Sequence, residues 1–339
     1  MSKLYITSIL ALGLCGPLQI RGQQNFAKVG TSGAHFLGIS PDARYAAMGN
    51  AAVSMAHSSA SAVFYNPAAL VLVPGISASF NSVQWFADIN LQAAAVSFPM
   101  ANWTFGLNYR SLNSGDILVT TVEQQQGTGE YYQWLDLAAG LSVSRRLADR
   151  FSFGMNLYYV RESIGDYGLE VNTYGVDVGT LYLTGFNSLR LGMAIRNFGP
   201  ELFLKDADGD LAEFEDYSNG EILPDKEPYR PFHMPLMFQV GLSYDLLEYS
   251  QLHSLTVAID GAHPNDSFER FNFGFEYSLM GSVFVRGGFY SKHDTSLNMF
   301  GVGALVSTMG IQTRADYSIS NYLALGFVHQ FTITLNSAS

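Results

Sequence analysis

From about Ile76 to the C-terminus, large apolar residues alternate with small or polar ones at a period of two, the repeat of β-strands whose two faces meet different surroundings. In the stretch 103–110 one face carries Trp103, Phe105, Leu107 and Tyr109, and the other Thr104, Gly106, Asn108 and Arg110. The stretch 189–196 sets Leu189, Leu191, Met193 and Ile195 against Arg190, Gly192, Ala194 and Arg196, and 151–157, 255–260 and 271–277 divide in the same way. About fourteen segments of strand length follow from this pattern, near 76–86, 89–99, 102–112, 131–146, 150–162, 170–184, 188–198, 235–246, 252–261, 268–278, 282–291, 296–307, 310–319 and 321–335.

The second face tells what those surroundings are. A soluble sandwich solvates its polar face, usually with Lys, Glu and Thr. Here that face is mostly Gly, Ala, Ser and Asn, interrupted by single charges of both signs: Arg110, Asp136, Asp177, Arg190, Arg196, Asp260, Glu276, Arg286, Arg314 and Asp316. Glycine is poor on an exposed strand face and suits a lumen filled by other chain. Isolated charges confined there should pair across strands, because an unpaired desolvated charge is costly. The pattern therefore predicts an all-β fold, an antiparallel transmembrane β-barrel of about fourteen strands, apolar outside and polar and partly plugged within. The connections agree: those near 99–102, 147–150, 185–188, 247–251, 279–281 and 307–310 are short. The long ones, about 113–130 and 199–234, fall on the opposite side.

One long stretch, Gly38 to Leu70, shows no period of two. Its Ala, Met and Ser runs suit a short helix from about Ala43 and a compact irregular piece closing on Asn66–Pro67, where Pro67 cannot donate to a ladder and pushes Asn66 out of the α region. Small side chains let such a segment lie close against other backbone, as a plug inside a tube must. The expected plug residues are Asp42, Arg44, Met48, Met55, Phe64, Asn66 and Pro67. The division is a signal peptide over 1–22, an N-terminal segment and lumen plug over 23–75, and a barrel over 76–335.

Composition sharpens this picture. Apolar residues make up 48 % of the chain and charged ones 14 %, against about 25 % in soluble proteins. No run after the N-terminus approaches the roughly 18 apolar residues of a membrane helix, which leaves strands to do the spanning. Lys3, the apolar core from about Leu4 to Leu14 and the small residues near Gly22 read as a secretory signal peptide cleaved around residues 20–24. Cys15 sits in or just after that core, and bulky Leu14 before it argues against a lipoprotein cleavage box. With the signal removed, the chain holds no cysteine and no disulfide framework. A net charge of −11 argues against nucleic acid as a partner.

Catalytic and metal signatures are missing. The seven histidines show no H-E-x-x-H spacing, and no G-x-S-x-G elbow or P-loop occurs. The acidic run 206–213 fails as an EF-hand, since Leu211 and Tyr217 stand where Gly and Glu are required. It is either a looser carboxylate site or a solvated acidic loop. Tyr229, Phe232 and Met234, just beyond, are expected in an outer loop, covering the barrel mouth or meeting a partner. No cofactor and no enzymatic activity are expected.

Several short pieces, in order, resemble the PorV/PorQ family of outer-membrane proteins, which is related to the FadL-type fatty-acid channels. They include 33–37 (GAHFL), 42–44 (DAR), Met48–Gly49, 65–68 (YNPA), 85–90, Thr120–Thr121, 127–130 (GTGE), 197–200 (NFGP), 263–266 (HPND), Glu276–Tyr277 and 326–331 (GFVHQF). The resemblance implies a fourteen-stranded barrel with an N-terminal plug in the outer membrane of a Gram-negative bacterium. It also implies a non-enzymatic role in type IX secretion, with secretion-system proteins or secreted cargo docking at the outer rim. The chain departs from a common barrel ending, for about four residues follow Leu335 where an aromatic residue usually stands near the end. The alternative function is a FadL-like passage for hydrophobic small molecules, which requires an apolar pocket near Met48, Met55, Val63 and Phe64 and a lateral opening.

Overall fold

The computed structural model describes residues 30–56, 58–216, 225–247, 252–291 and 298–337. The signal-peptide reading of 1–22 lies outside them. Fourteen antiparallel strands close into one barrel. They are β1 (Ser77–Gln84), β2 (Asn90–Met100), β3 (Trp103–Asn113), β4 (Trp134–Ala148), β5 (Phe151–Ile164), β6 (Leu169–Leu183) and β7 (Arg190–Phe198). The second half comprises β8 (Met237–Asp245), β9 (His253–Pro264), β10 (Arg270–Leu279), β11 (Val283–Tyr290), β12 (Asn298–Thr308), β13 (Ile311–Asn321) and β14 (Phe327–Ser337). Each strand pairs with its sequence neighbours, and β1 closes the ring against β14, with Ser77 opposite Asn336 and Gln84 opposite His329.

The alternation in sequence is the alternation in space. Along β5, Ser152, Gly154, Asn156, Tyr158 and Val160 point inward and are buried, while Phe153, Met155, Leu157 and Tyr159 remain 38–49 % exposed. Comparable outward rows run round the wall, through Phe105, Leu107, Tyr109, Met193, Ile195, Phe275 and Phe331. A continuous apolar girdle of this extent is unfavourable against water and matches hydrocarbon. No helix among the described residues is long and apolar enough to cross a membrane.

The last strand differs from expectation. It begins at Phe327 instead of 321, because the chain first turns through 322–326, with Leu323 at φ 53°. It also runs on past Leu335, since Asn336 and Ser337 stay in the ladder opposite Gln312 and Ile311. One wall irregularity lies within the spanning region: at the β6–β7 seam Arg196 and Asn197 together face the single residue Asp177, a β-bulge with Asn197 at φ 59°.

The connections that follow β2, β4, β10 and β12 are tight turns at one end of the barrel, the turn end. The other, loop end, carries the long connections after β3 and β7. These include two short ribbons, Ile117–Leu118 with Tyr131–Tyr132 and Glu213–Asp216 with Asp225–Pro228.

The aperiodic N-terminal segment fills the lumen. Its helix, α1 (Ala43–Ala47), is capped by Asp42, whose Oδ1 accepts the Arg44 N–H at 2.8 Å. Two 3₁₀ turns follow, Ala60–Phe64 capped by Ser59 and Pro67–Leu72 capped by the Asn66 side chain. Tyr45, Ala47, Met48, Ala51 and Ala62 are wholly buried. The inward glycines explain how this much chain fits: Gly154 lies against Pro67, Gly179 against Asn66, Gly192 against Val53, and Gly274 and Gly288 against Met48–Gly49. A Cβ at any of these would overlap plug atoms.

Candidate functional site

The plug is pinned near its helix by a buried ionic network. Arg44 on α1 grips Glu276 of β10 with two bonds, Nη2 to Oε1 at 2.5 Å and Nε to Oε2 at 2.8 Å. Arg286 of β11 and Arg314 of β13 reach Glu276 Oε2 at 2.6 and 3.2 Å, and both also pair with Asp316 at 2.9 Å. Bidentate Arg–carboxylate geometry is the arrangement that compensates the loss of water around such charges. Asp42, beside the network, has its carboxyl pushed above the usual range, chiefly by burial and then by the negative charge of Asp316.

The other inward charges behave differently from the expected cross-strand pairs. Asp260 accepts the backbone N–H groups of Ala52 and Val53 at 2.8 and 3.0 Å. Arg110 donates to the Leu37 carbonyl at 2.8 Å and lies 4.6 Å over the Phe64 ring, while Arg196 donates to the Phe64 carbonyl at 2.7 Å. Asp177 takes the Asn197 backbone N–H at 2.7 Å and the Asn156 and Tyr158 side chains, and Asp136 takes the Trp134 indole N–H. For Asp260, Arg110 and Arg196 the physical reason is the irregular plug backbone, whose N–H and C=O groups have no ladder and draw partners from the wall, whereas Asp177 and Asp136 are satisfied within the wall itself. Arg190 does form a bidentate ion pair, at 2.7 and 2.9 Å, with Asp245, a residue the sequence pattern did not single out. Asn66 ties plug to plug and plug to wall, donating to the carbonyls of Val53 and Thr180 at 2.7 and 3.0 Å.

A cavity of about 660 Å³ lies at the loop end, between the start of the plug and the wall. Phe36, Ile39, Trp85, Leu112, Val171 and Phe232 make most of its surface apolar, and Asp136 and Glu162 are its carboxylates. Glu162 Oε1 accepts the Ala34 N–H at 3.0 Å, which holds the plug's first turn against the cavity. The four residues expected to line an apolar pocket, Met48, Met55, Val63 and Phe64, are 0–1 % exposed and pack into one core with Tyr45, Tyr65 and Leu70; of them Met55 also borders a cavity of about 300 Å³ whose lining includes Arg44, Arg190 and Asp245. Their small neighbours allow close packing where a vestibule was expected.

The three residues expected in an outer loop have separate environments. Tyr229 is 42 % exposed, and its ring packs tilted against Phe214, 5.2 Å between centroids. Phe232 lines the apolar cavity, and Met234 is buried beside Gly199. In the acidic loop, Asp206 Oδ1 accepts the N–H groups of Asp208 and Asp210, and no three acidic, His or Cys side chains converge among the described residues. Trp85, Phe86, Glu162 and Arg270 were missed by sequence reasoning. All four sit at strand ends, where the period of two stops.

No protein-family model matches the sequence, and no curated protein matches it. Solved structures share its fold. The toluene transporter TbuX of Ralstonia pickettii superposes with a TM-score of 0.55 at 14 % identity, covering 86 % of this chain and 96 % of that one. The toluene transporter TodX of Pseudomonas putida gives 0.56 at 12 % identity, over 86 % and 95 %. A FadL homologue from Pseudomonas aeruginosa gives 0.50 at 12 % identity, over 92 % and 99 %. At such identities the likeness is one of fold, a closed 14-stranded barrel of the FadL-like type. Two of these neighbours are toluene transporters, and all three lend the PorV/PorQ resemblance nothing beyond the shared barrel.

Proposed function

We propose that this chain is an outer-membrane channel that admits apolar small molecules at its loop end. The observation that carries the reading is the 660 Å³ apolar cavity between the plug's first turn and the wall, a size within the usual range of small-molecule sites. The fold neighbours, among them two toluene transporters, support the same class. In this reading the cavity collects ligand and the plug's leading turn is the part that moves. That turn is tied to the wall and loops by the Gly33 N–H to the His233 carbonyl, the His233 N–H to the Thr31 carbonyl, the Ser32 hydroxyl to Asp266, the Ala34 N–H to Glu162 and Arg110 to the Leu37 carbonyl. Deeper in, Met48, Met55 and Phe64 are buried in the packed core of the plug, and in this reading passage requires the plug to shift. Docking in type IX secretion rests on the sequence resemblance alone.

Toluene uptake by a host that lacks a channel of its own tests this. Expression of the wild-type protein should speed uptake over empty vector. Leu112→Trp, which fills the cavity from the wall side, should return it towards the vector rate while the barrel still assembles. Uptake equal to vector with the wild type overturns the channel reading. A deletion strain that loses surface-anchored proteins, with toluene entry unchanged, would favour docking instead.

A further inference from the structure

A second cavity, about 300 Å³, lies at the loop end on the other side of the segment 35–39. His35, Ile39, Trp85 and Phe86 line both. Its character differs because two guanidinium groups, those of Arg196 and Arg270, line it. Arg196 projects from the β-bulge of β7, and Arg270 is the first residue of β10. Arg196 uses one Nη on the Phe64 carbonyl, and Arg270 lies 5.5 Å over the Tyr290 ring. The Nε of each is buried without a hydrogen-bond partner, and neither arginine forms an ion pair with a carboxylate among the described residues.

Carboxylates in the same position could discharge by taking up a proton, whereas a guanidinium stays charged at any accessible pH. Asp177 and Asp260 offset part of the Arg196 charge from beyond ion-pair distance, and an anion inside the cavity would offset the remaining desolvation and the repulsion between the two guanidiniums. The one carboxylate on this cavity, Asp266, is engaged elsewhere. It accepts the Ser32 hydroxyl and stands 3.8 Å from His35 Nδ1.

We propose that this cavity binds a small oxyanion, a carboxylate or phosphate group held between Arg196 and Arg270. The inference stands apart from the channel reading, because it concerns a second cavity and rests on Arg196 and Arg270, which do not line the first. Bound there, the anion also braces the plug. Arg196 holds the plug carbonyl of Phe64, and the Tyr290 ring beneath Arg270 is hydrogen-bonded through its hydroxyl to the Asn50 amide of the plug.

Calorimetric titration of the detergent-solubilised protein with sodium phosphate and, separately, sodium acetate tests the site, with sodium chloride holding ionic strength constant so that general screening does not change. Saturable binding of at least one salt is expected, and the two titrations tell phosphate from carboxylate. Arg270→Gln should weaken it about tenfold or more through loss of charge-assisted hydrogen bonds. Arg270→Lys, which keeps the charge and loses the fork, should weaken it less, and it serves in place of Arg270→Gln if that variant fails to fold. Arg145→Gln, on the outer surface over Trp103, should leave binding unchanged. Absence of saturable binding by both salts, or equal binding by wild type and the Arg270 variants, overturns the proposal.

Discussion

Replacing Glu276 by Gln tests how the plug is held. In the native protein three guanidiniums face two carboxylates, and Glu276 is the hub, accepting four bonds of 2.5–3.2 Å from Arg44, Arg286 and Arg314 while only 7 % of its side chain is exposed. The amide keeps the shape and removes the charge, leaving three cations on Asp316 alone, with one amide N–H₂ pointed at a donor. Breaking a buried ion pair from one side costs about 3–5 kcal/mol. Guanidinium titration in detergent, followed by tryptophan fluorescence and by the gel mobility of the folded barrel, should show a loss of that order. Arg44→Met combined with Glu276→Gln should cost less than the sum of the singles, since the double variant removes one stranded cation; a coupling of about 0.5–3 kcal/mol is expected. A loss below about 1 kcal/mol for Glu276→Gln, or strict additivity, would refute the claim that this network fastens plug to wall.

Two further outcomes follow from the same contacts. Asp260→Ala leaves the buried N–H groups of Ala52 and Val53 without their acceptor, at about 1–3 kcal/mol for each, and amide exchange at these two residues should accelerate while exchange in β9 itself changes little. Gly288→Val places methyl groups where Met48 and Gly49 now lie; crowding of this kind costs about 1–3 kcal/mol, and limited proteolysis should then cut within the plug before the barrel.

Most of the barrel was legible because a strand between hydrocarbon and a packed lumen must alternate, and stretches such as 103–110 and 189–196 do so without interruption. The glycines on the inner face announced close approach by other chain, and the plug backbone is what approaches Gly154, Gly192 and Gly288. The cavities were less legible. Each is built from strand ends and loop residues, Trp85, Phe86, Glu162 and Arg270, whose neighbourhood depends on how a closed sheet brings distant loops together. The partners of Asp260 and Arg196 were also out of reach, because a lumen charge can be satisfied by backbone as well as by an opposite charge, and sequence does not reveal which plug carbonyl lies opposite.

The plug leads directly into β1, and β1 finds its second neighbour only in β14, roughly 250 positions along the chain. The seam is therefore sealed by the most C-terminal strand of the barrel, after every other strand is available. Loops of that span make closure slow to nucleate. The N-terminal segment must already lie within the curling sheet when the seam zips, because a sealed cylinder offers no side entrance for the irregular chain that precedes Ser77. It thus serves as a mandrel on which the cylinder is wound, and trimming it should impair biogenesis before it alters permeability.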